Sequence, residues 1–164
     1  MKKIIIINGS GGGGKDSFVF FCQKYTNCKN ISTVDKVKEA YELLGWDGEK
    51  TEEHRLNLSN MKDMSTKMFD HPYKYISKMI NLFIENQYDE ILFIHSREPD
   101  EITRFVKDFG CITLLVKNPN VKKIESNHAD AEVENYDYNY TILNDGTLQD
   151  LEITAKNFIE YLRG

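Results

Sequence analysis

The run from Ile4 to Ser17, near the N-terminus, constrains the fold more than any other part of the sequence. It begins with four consecutive isoleucines, and a continuous β-branched stretch of this kind is typical of a strand buried on both faces. The glycines that follow allow a tight turn, and the apolar residues after Ser17 predict a helix that begins at once. The run therefore predicts a strand, a turn and a helix in immediate succession.

The turn has the spacing of a phosphate-binding loop, with Gly9, Gly14 and Lys15 at the defining positions. Glycine N–H groups can surround an anionic phosphate, and the N-terminus of the next helix adds partial positive charge. Lys15 can then reach the β- and γ-phosphates of a nucleotide. The residues predicted to bind ATP are Gly9, Gly11, Gly12, Gly13, Gly14, Lys15, Asp16 and Ser17.

The residues directly after the lysine are candidate ligands of a metal ion. A Ser or Thr usually follows the lysine of such a loop, whereas this chain has Asp16 there and Ser17 one position later. Asp16 or Ser17 is therefore predicted to face Mg²⁺, directly or through water. The alternative is that the Asp16 carboxylate complements the positive end of the helix.

Length and charge restrict the class of protein. A chain of 164 residues is long enough for one domain with a sheet covered on both faces. The net charge of −5 argues against a general nucleic-acid or membrane surface, so any anion requires a local cluster of positive groups. Three cysteines without metal-site spacing predict free thiols in a reducing cytosol, and no apolar stretch is long enough to span a bilayer.

Strand and helix patterns alternate along the rest of the chain. The predicted strands are Asn30–Thr33, Glu90–His95, Cys111–Lys117 and an outer strand at Tyr140–Leu143. The predicted helical stripes are Val34–Leu44, Ile76–Ile84, Ile102–Phe109 and Leu148–Leu162. This order predicts a three-layer α/β fold of P-loop NTPase type, with a mostly parallel central sheet flanked by helices. Ligands of such sheets bind at the carboxyl ends of the strands, so we expect the functional residues there.

The stretch from residue 45 to residue 75 is the least regular part of the sequence. It is interpreted either as a mobile element that covers a substrate or as an ordinary solvated pair of helices. Met61, Met64 and Met68 have helical spacing, and they are predicted to form a packing face rather than a ligand surface.

Several motifs occur in an order that is typical of one family. They are Gly14–Ser17, Ser32–Glu39, Gly45–Lys50, Arg55 with Lys62, Ser96–Glu101 and Asn144–Leu148. Together they resemble P-loop nucleoside monophosphate kinases, in particular the phage-type deoxynucleoside monophosphate kinases, and are similar to animal-type phosphomevalonate kinases. The resemblance covers nearly the whole chain, and it rests on the order of the motifs.

The resemblance implies an ATP- and Mg²⁺-dependent phosphotransferase. The γ-phosphoryl group would move to a small phosphorylated acceptor, most simply a (deoxy)nucleoside monophosphate. Residues 1–164 would form one kinase domain, with residues 45–75 as an acceptor-side helical insertion and about 117–133 as a lid-like segment. No nucleic-acid or membrane partner is implied.

Two departures from the family favour an alternative function. His95 occupies the strand end where the family has an aspartate that helps to hold magnesium through water. The lid-like segment carries Lys117, Lys122 and Lys123 where the family usually has arginines, and lysine lacks the bidentate fork of arginine. The alternative is a catalytically weak or inactive ATP-binding regulatory module of the same fold.

Phosphoryl transfer also needs cations around the acceptor phosphate. Lys15 and Arg97 are the predicted catalytic residues, and Asp35, Arg55 and Arg97 are the predicted acceptor-binding residues. Three of these residues also have a structural interpretation. Arg97 could form a salt bridge with Glu101, Arg55 could lie on a solvated helix face, and Asp35 could simply start a helix.

Overall fold

The computed structural model describes residues 1–122 and 131–164. Its strands are β1 (Lys3–Asn8), β2 (Cys28–Ser32), β3 (Ile91–His95), β4 (Ile112–Lys117) and β5 (Tyr140–Leu143). The helices with described bounds are α1 (Lys15–Cys22), α2 (Asp35–Leu43), α3 (Glu52–Phe69), α4 (His71–Glu85), α5 (Pro99–Phe109) and α6 (Leu148–Arg163). Within this part of the chain, no helix is long and apolar enough to cross a membrane.

The five strands form one parallel sheet in the order β2-β3-β1-β4-β5. β1 lies at the centre, where Ile7 is opposite His95 on β3 and Leu114 on β4. Because the strands are parallel and nearly in register, the loops that follow β1 and β3 meet at one edge of the sheet. This edge is the place where a site is expected.

Two hydrophobic layers cover the two faces of the sheet. Ile5 and Ile7 point to one face, where they pack in a core with residues of α1 and α6. Ile6 points to the other face, where the core includes residues of α4 and α5. Alternate side chains of the isoleucine run therefore pack on opposite faces of the sheet, which explains why the middle of this strand is apolar at every position. The predicted three-layer α/β fold with a parallel sheet is confirmed.

The second strand differs from its predicted bounds. β2 begins at Cys28 rather than at Asn30, because Cys28 and Lys29 pair with Ile91 and Leu92 on β3. Such pairing depends on a distant strand, so local composition does not reveal it. β2 is also an edge strand, and α2 after it packs against α3. Most of the predicted α2 stripe is therefore not in the core, and only Val37 is buried on that helix.

The prediction of a methionine packing face on α3 was wrong. Met64 and Met68 are 55% and 63% exposed, respectively. The residue of α3 that is buried is Lys62. Lys62 forms ion pairs with Glu98 and Glu101 at the start of α5, and Met61, the third methionine of the predicted face, is half-buried.

Candidate functional site

The glycine-rich loop forms a closed turn at the N-terminus of α1. The N–H of Gly13 donates to the carbonyl of Ser10 at 2.9 Å, and the N–H of Phe18 donates to the carbonyl of Gly14 at 2.9 Å. Gly14 has a φ of 97°, a left-handed conformation that favours glycine. The side chain of Asn144, which follows β5, donates to the carbonyl of Gly13 at 3.1 Å. The loop is thus attached to the distant turn between β5 and α6.

The first glycine of the loop is held against the sheet. A Cβ atom at Gly9 would lie 2.5 Å from the carbonyl oxygen of Val116, so a larger residue would displace the loop. The N–H of Gly9 also donates to Oδ1 of Asn8 at 2.8 Å. Lys15, the first residue of α1, is only 8% exposed beneath this loop. The structure thus places a buried lysine at a helix N-terminus, where backbone N–H groups and the helix dipole favour an anion.

His95 lies beside the residue that follows the lysine. Its Nδ1 is 3.9 Å from Oδ1 of Asp16, whose side chain is 75% exposed. Its Nε2 donates to Oδ1 of Asn30 at 2.7 Å. This bond places the proton of the neutral ring on Nε2, so a lone pair on Nδ1 faces the Asp16 carboxylate.

Burial lowers the pKa of His95 to about 4. Asp16 opposes the shift, whereas Lys15 and Arg97 add to it, because their positive charges disfavour a charged ring. His95 is therefore neutral near pH 7. It does not supply a positive charge to the site.

The two residues predicted to face a metal ion offer oxygen atoms at the mouth of the loop. Asp16 and Ser17 occupy the first turn of α1, and Ser17 is half-buried. A carboxylate and a hydroxyl are ligands that suit Mg²⁺, which usually keeps several waters and binds substrate phosphates as well. The donor set therefore fits a divalent cation held between this turn and a bound nucleotide.

Lys38 on α2 is a functional candidate that the sequence interpretation missed. Burial lowers the pKa of Lys38, and the positive charges of Lys50 and Arg97 lower it further, whereas Asp35 and Asp16 oppose the shift. Its long side chain thus reaches the edge of the sheet where the loop lies. One clue was available, because Lys38 follows one helical turn after Asp35.

The structure therefore brings four cations to one edge of the sheet. Lys38 interacts electrostatically with Lys50 and Arg97, while His95 interacts with Lys15, Lys38 and Arg97. Such a concentration is notable in a chain with a net charge of −5. Like charges repel, so this arrangement suits an anion with several negative charges.

Arg97 follows β3, and its backbone is fixed from the central strand. Asn8 is fully buried, and its Nδ2 donates to the carbonyl of Arg97 at 3.2 Å and to the hydroxyl of Tyr138 at 2.7 Å. The hydroxyl of Tyr138 in turn donates to the carbonyl of Val133 at 2.6 Å. Asn8 thus joins the loop, the Arg97 segment and the chain before β5.

Glu101, the alternative partner of Arg97, is engaged elsewhere. Its Oε1 accepts hydrogen bonds from Nζ of Lys62 at 3.1 Å and from Oγ of Ser96 at 2.5 Å. Lys62 also bonds Oε2 of Glu98 at 2.5 Å. Burial alone would lower the pKa of Lys62, but Glu101 and Glu98 outweigh it and hold that pKa above its ordinary value. Lys62 therefore connects α3 to the start of α5.

The other predicted acceptor residues have structural contacts. Nε of Arg55 donates to the carbonyl of Lys50 at 3.2 Å, and the side chain is half-buried. Oδ2 of Asp35 accepts from the N–H of Ser32 at 2.8 Å and from the hydroxyl of Tyr75 at 3.4 Å. Asp35 is thus the first residue of α2, as its structural interpretation predicted. An additional role toward an acceptor stays a prediction for both residues.

The lid-like segment at about 117–133 is described only in part. Nζ of Lys117 lies 3.0 Å from Oε2 of Glu134 in an exposed ion pair. Lys123 lies outside the described residues.

No protein-family model and no curated protein matches this chain in sequence. In structure, TT1252 from Thermus thermophilus matches with a TM-score of 0.56 and 15% identity over 99% of each chain. A sugar kinase from Janibacter sp. HTCC2649 has a TM-score of 0.54 and 9% identity over 98% of this chain and 95% of that chain. Shikimate kinase from Bacteroides thetaiotaomicron has a TM-score of 0.52 and 13% identity over 99% of each chain. At these identities the likeness shows a shared fold.

Proposed function

We propose that this chain is an ATP-dependent phosphotransferase that moves the γ-phosphoryl group to a small phosphorylated acceptor. The acceptor that fits best is a (deoxy)nucleoside monophosphate. One observation carries the proposal: a closed glycine-rich loop at a helix N-terminus lies beside Lys38, Lys50 and Arg97, three cations from outside the loop. Two of the similar structures are named kinases, which supports the same reaction class.

The donor side consists of the loop and α1. The N–H groups of residues 11–15 and the Lys15 side chain would hold the β- and γ-phosphates of ATP. Asp16 and Ser17 would hold Mg²⁺, which neutralises charge on the phosphate oxygens when it is bound. Lys15 is only 8% exposed, so its side chain has less conformational freedom to lose when a nucleotide binds than an exposed lysine would have.

The acceptor side would consist of Arg97 after β3, residues of α2 and residues of the 45–75 insertion. Arg97 would contact the transferring phosphoryl group or the acceptor phosphate, with Lys38 and Lys50 adding positive charge. Arg55 would bind the acceptor from α3, and Asp35 would bind its sugar or base. Each charge-assisted hydrogen bond contributes roughly 1.5–3 kcal/mol, so two or three suffice for selective binding of a phosphate.

A second function is favoured by specific contacts. The end of β3 carries a neutral imidazole at His95, and Lys117 is paired with Glu134. Both features reduce the positive charge that is available to stabilise the transferred phosphoryl group. They favour a regulatory module that binds ATP and transfers its phosphoryl group slowly or not at all.

A coupled assay of ADP release across a panel of nucleoside and deoxynucleoside monophosphates separates the two functions. The phosphotransferase should release ADP with at least one member of the panel, and Arg97→Ala should lower kcat and kcat/KM together. Arg55→Ala should raise the KM for the acceptor far more than the KM for ATP. A wild-type protein that binds ATP and releases no ADP with any acceptor would contradict the proposal.

A further inference from the structure

The facing atoms of His95 and Asp16 are both hydrogen-bond acceptors. Nε2 of His95 carries the ring proton, because it donates to Oδ1 of Asn30 at 2.7 Å. Nδ1 therefore presents a lone pair, and it lies 3.9 Å from the Oδ1 atom of Asp16. Two lone pairs that face each other repel unless a donor or a cation lies between them. A cation or a hydrogen-bond donor placed between Nδ1 of His95 and Oδ1 of Asp16 would remove this repulsion.

We propose that Nδ1 of His95 and the Asp16 carboxylate together coordinate one divalent transition-metal cation next to a nucleotide bound in the glycine-rich loop. This inference rests on the proposed binding of ATP at that loop. A cation about 2.1 Å from each atom can join atoms up to about 4.2 Å apart, so the observed separation is within reach. The nitrogen ligand makes the site different from an all-oxygen magnesium site.

The surroundings of His95 resemble those of imidazoles that bind metals. A ligating imidazole normally donates its other N–H to an oxygen atom, which fixes both the tautomer and the orientation of the ring. Asn30 on β2 does this for His95, and the side chain of His95 is only 12% exposed. The ring is therefore fixed before a metal binds, and its free nitrogen is directed toward Asp16.

The nucleotide must supply the remaining ligands. In the described part of the chain, no group of three or more His, Cys, Asp or Glu side chains could hold a metal ion by itself. Lys15, Lys38 and Arg97 also interact with His95, and their positive charges oppose a second cation. Phosphate oxygens would neutralise these charges and complete the coordination. Metal binding should therefore be weak without a nucleotide and strong with one.

The ligand set determines which metal is favoured. Mg²⁺ prefers oxygen ligands, whereas imidazole nitrogen suits later divalent metals such as Co²⁺, Ni²⁺ and Zn²⁺, and Mn²⁺ accepts both kinds of ligand. We expect the nucleotide-bound protein to prefer these cations over Mg²⁺. His95→Asp should reduce the preference for Co²⁺ over Mg²⁺ by about tenfold or more, because it restores an oxygen ligand.

Pulsed electron paramagnetic resonance of bound Mn²⁺ tests the coordination directly. The sample is uniformly ¹⁵N-labelled protein with unlabelled ADP and Mn²⁺, so a strong ¹⁵N coupling comes from a protein nitrogen bound to the metal. The wild-type complex should show this coupling. His95→Gln should abolish it, because glutamine keeps a donor for Asn30 but lacks the imidazole nitrogen. His54→Gln, which changes a histidine bonded to Tyr41, should leave the coupling unchanged.

The outcomes separate this inference from the proposed function. If Mn²⁺ and ADP bind and the wild type shows no ¹⁵N coupling, the imidazole is not a ligand and the inference is wrong. A coupling that persists in His95→Gln, or an unaltered Co²⁺ preference in His95→Asp, would overturn it as well. If calorimetry shows that ADP does not bind at all, the proposed nucleotide site fails, and this inference fails with it.

Discussion

The side-chain amide of Asn8 donates a hydrogen bond to the hydroxyl of Tyr138 at 2.7 Å. Asn8 is the last residue of the central strand β1, and Tyr138 lies in the chain before β5. The same amide donates to the carbonyl of Arg97, and its oxygen accepts from the N–H of Gly9. One buried side chain therefore connects the glycine-rich loop to the backbone at Arg97 and, through Tyr138, to the carbonyl of Val133.

Tyr138→Phe should reduce the free energy of unfolding by about 1–3 kcal/mol, because it leaves a buried amide hydrogen of Asn8 without one acceptor. Tyr136→Phe is the matched control. The two rings contact each other in an edge arrangement, and both variants keep that ring contact. The control should change stability by about 0.5 kcal/mol or less. Urea denaturation measures the free energy of unfolding of both variants. Equal losses would show that the hydrogen bond between Asn8 and Tyr138 does not contribute to stability.

Lys62→Met should destabilise the fold by about 3 kcal/mol or more, because it removes the cation shared by two partly buried carboxylates, Glu98 and Glu101. Lys67→Met changes an exposed lysine on the same helix and should have little effect. The measurement is chemical denaturation near pH 7. A near-zero effect of Lys62→Met would mean that α3 is held to α5 by other contacts.

The pKa of His95 should make stability depend on pH. The folded-state pKa is about 4, below the ordinary value of 6.5, so the unfolded chain takes up a proton first as the pH falls. The contribution of neutral His95 to the free energy of unfolding is therefore fully present above about pH 6.5, and it is lost as the pH falls toward about 4. Over this range the wild type should lose up to roughly 3 kcal/mol more than His95→Gln. Parallel stability profiles for the two proteins would contradict this assignment.

Lys38→Gln should raise the KM for the phosphorylated acceptor by about tenfold or more while changing the KM for ATP much less, because one charge-assisted contact is lost. Lys36→Gln is the control on the same helix, since Lys36 is exposed and pairs with Glu39. Steady-state kinetics with both substrates varied measures the effect. If both lysine variants change the acceptor KM alike, Lys38 has no direct role in acceptor binding.

The sequence was most informative where structure is local. Four isoleucines, a glycine turn and Lys15 lie within fifteen residues, so one stretch of chain specifies strand, loop and helix together. Parallel order was also predictable, because strands and helices alternate along the chain.

The features that the sequence did not predict depend on contacts between distant residues. The start of β2 is set by its register with β3, and the residue of α3 that is buried is Lys62, whose partners Glu98 and Glu101 lie far along the chain. Lys38 acquires its place in the site only when α2 is packed beside the strand ends. Asn8 was not among the predicted site residues, and its three partners are revealed only by the folded chain.

The central claim is that the loop at the N-terminus of α1 binds the phosphates of ATP, with Lys15 as the main cation. Calorimetric titration of ATP with Mg²⁺ into the wild type and into Lys15→Ala tests it most directly. We expect saturable binding by the wild type and a loss of affinity of about tenfold or more in Lys15→Ala, because at least one charge-assisted contact disappears. Lys24→Ala, which changes an exposed lysine beyond the end of α1, should bind like the wild type. Equal ATP affinity in the wild type and in a folded Lys15→Ala protein would contradict the account.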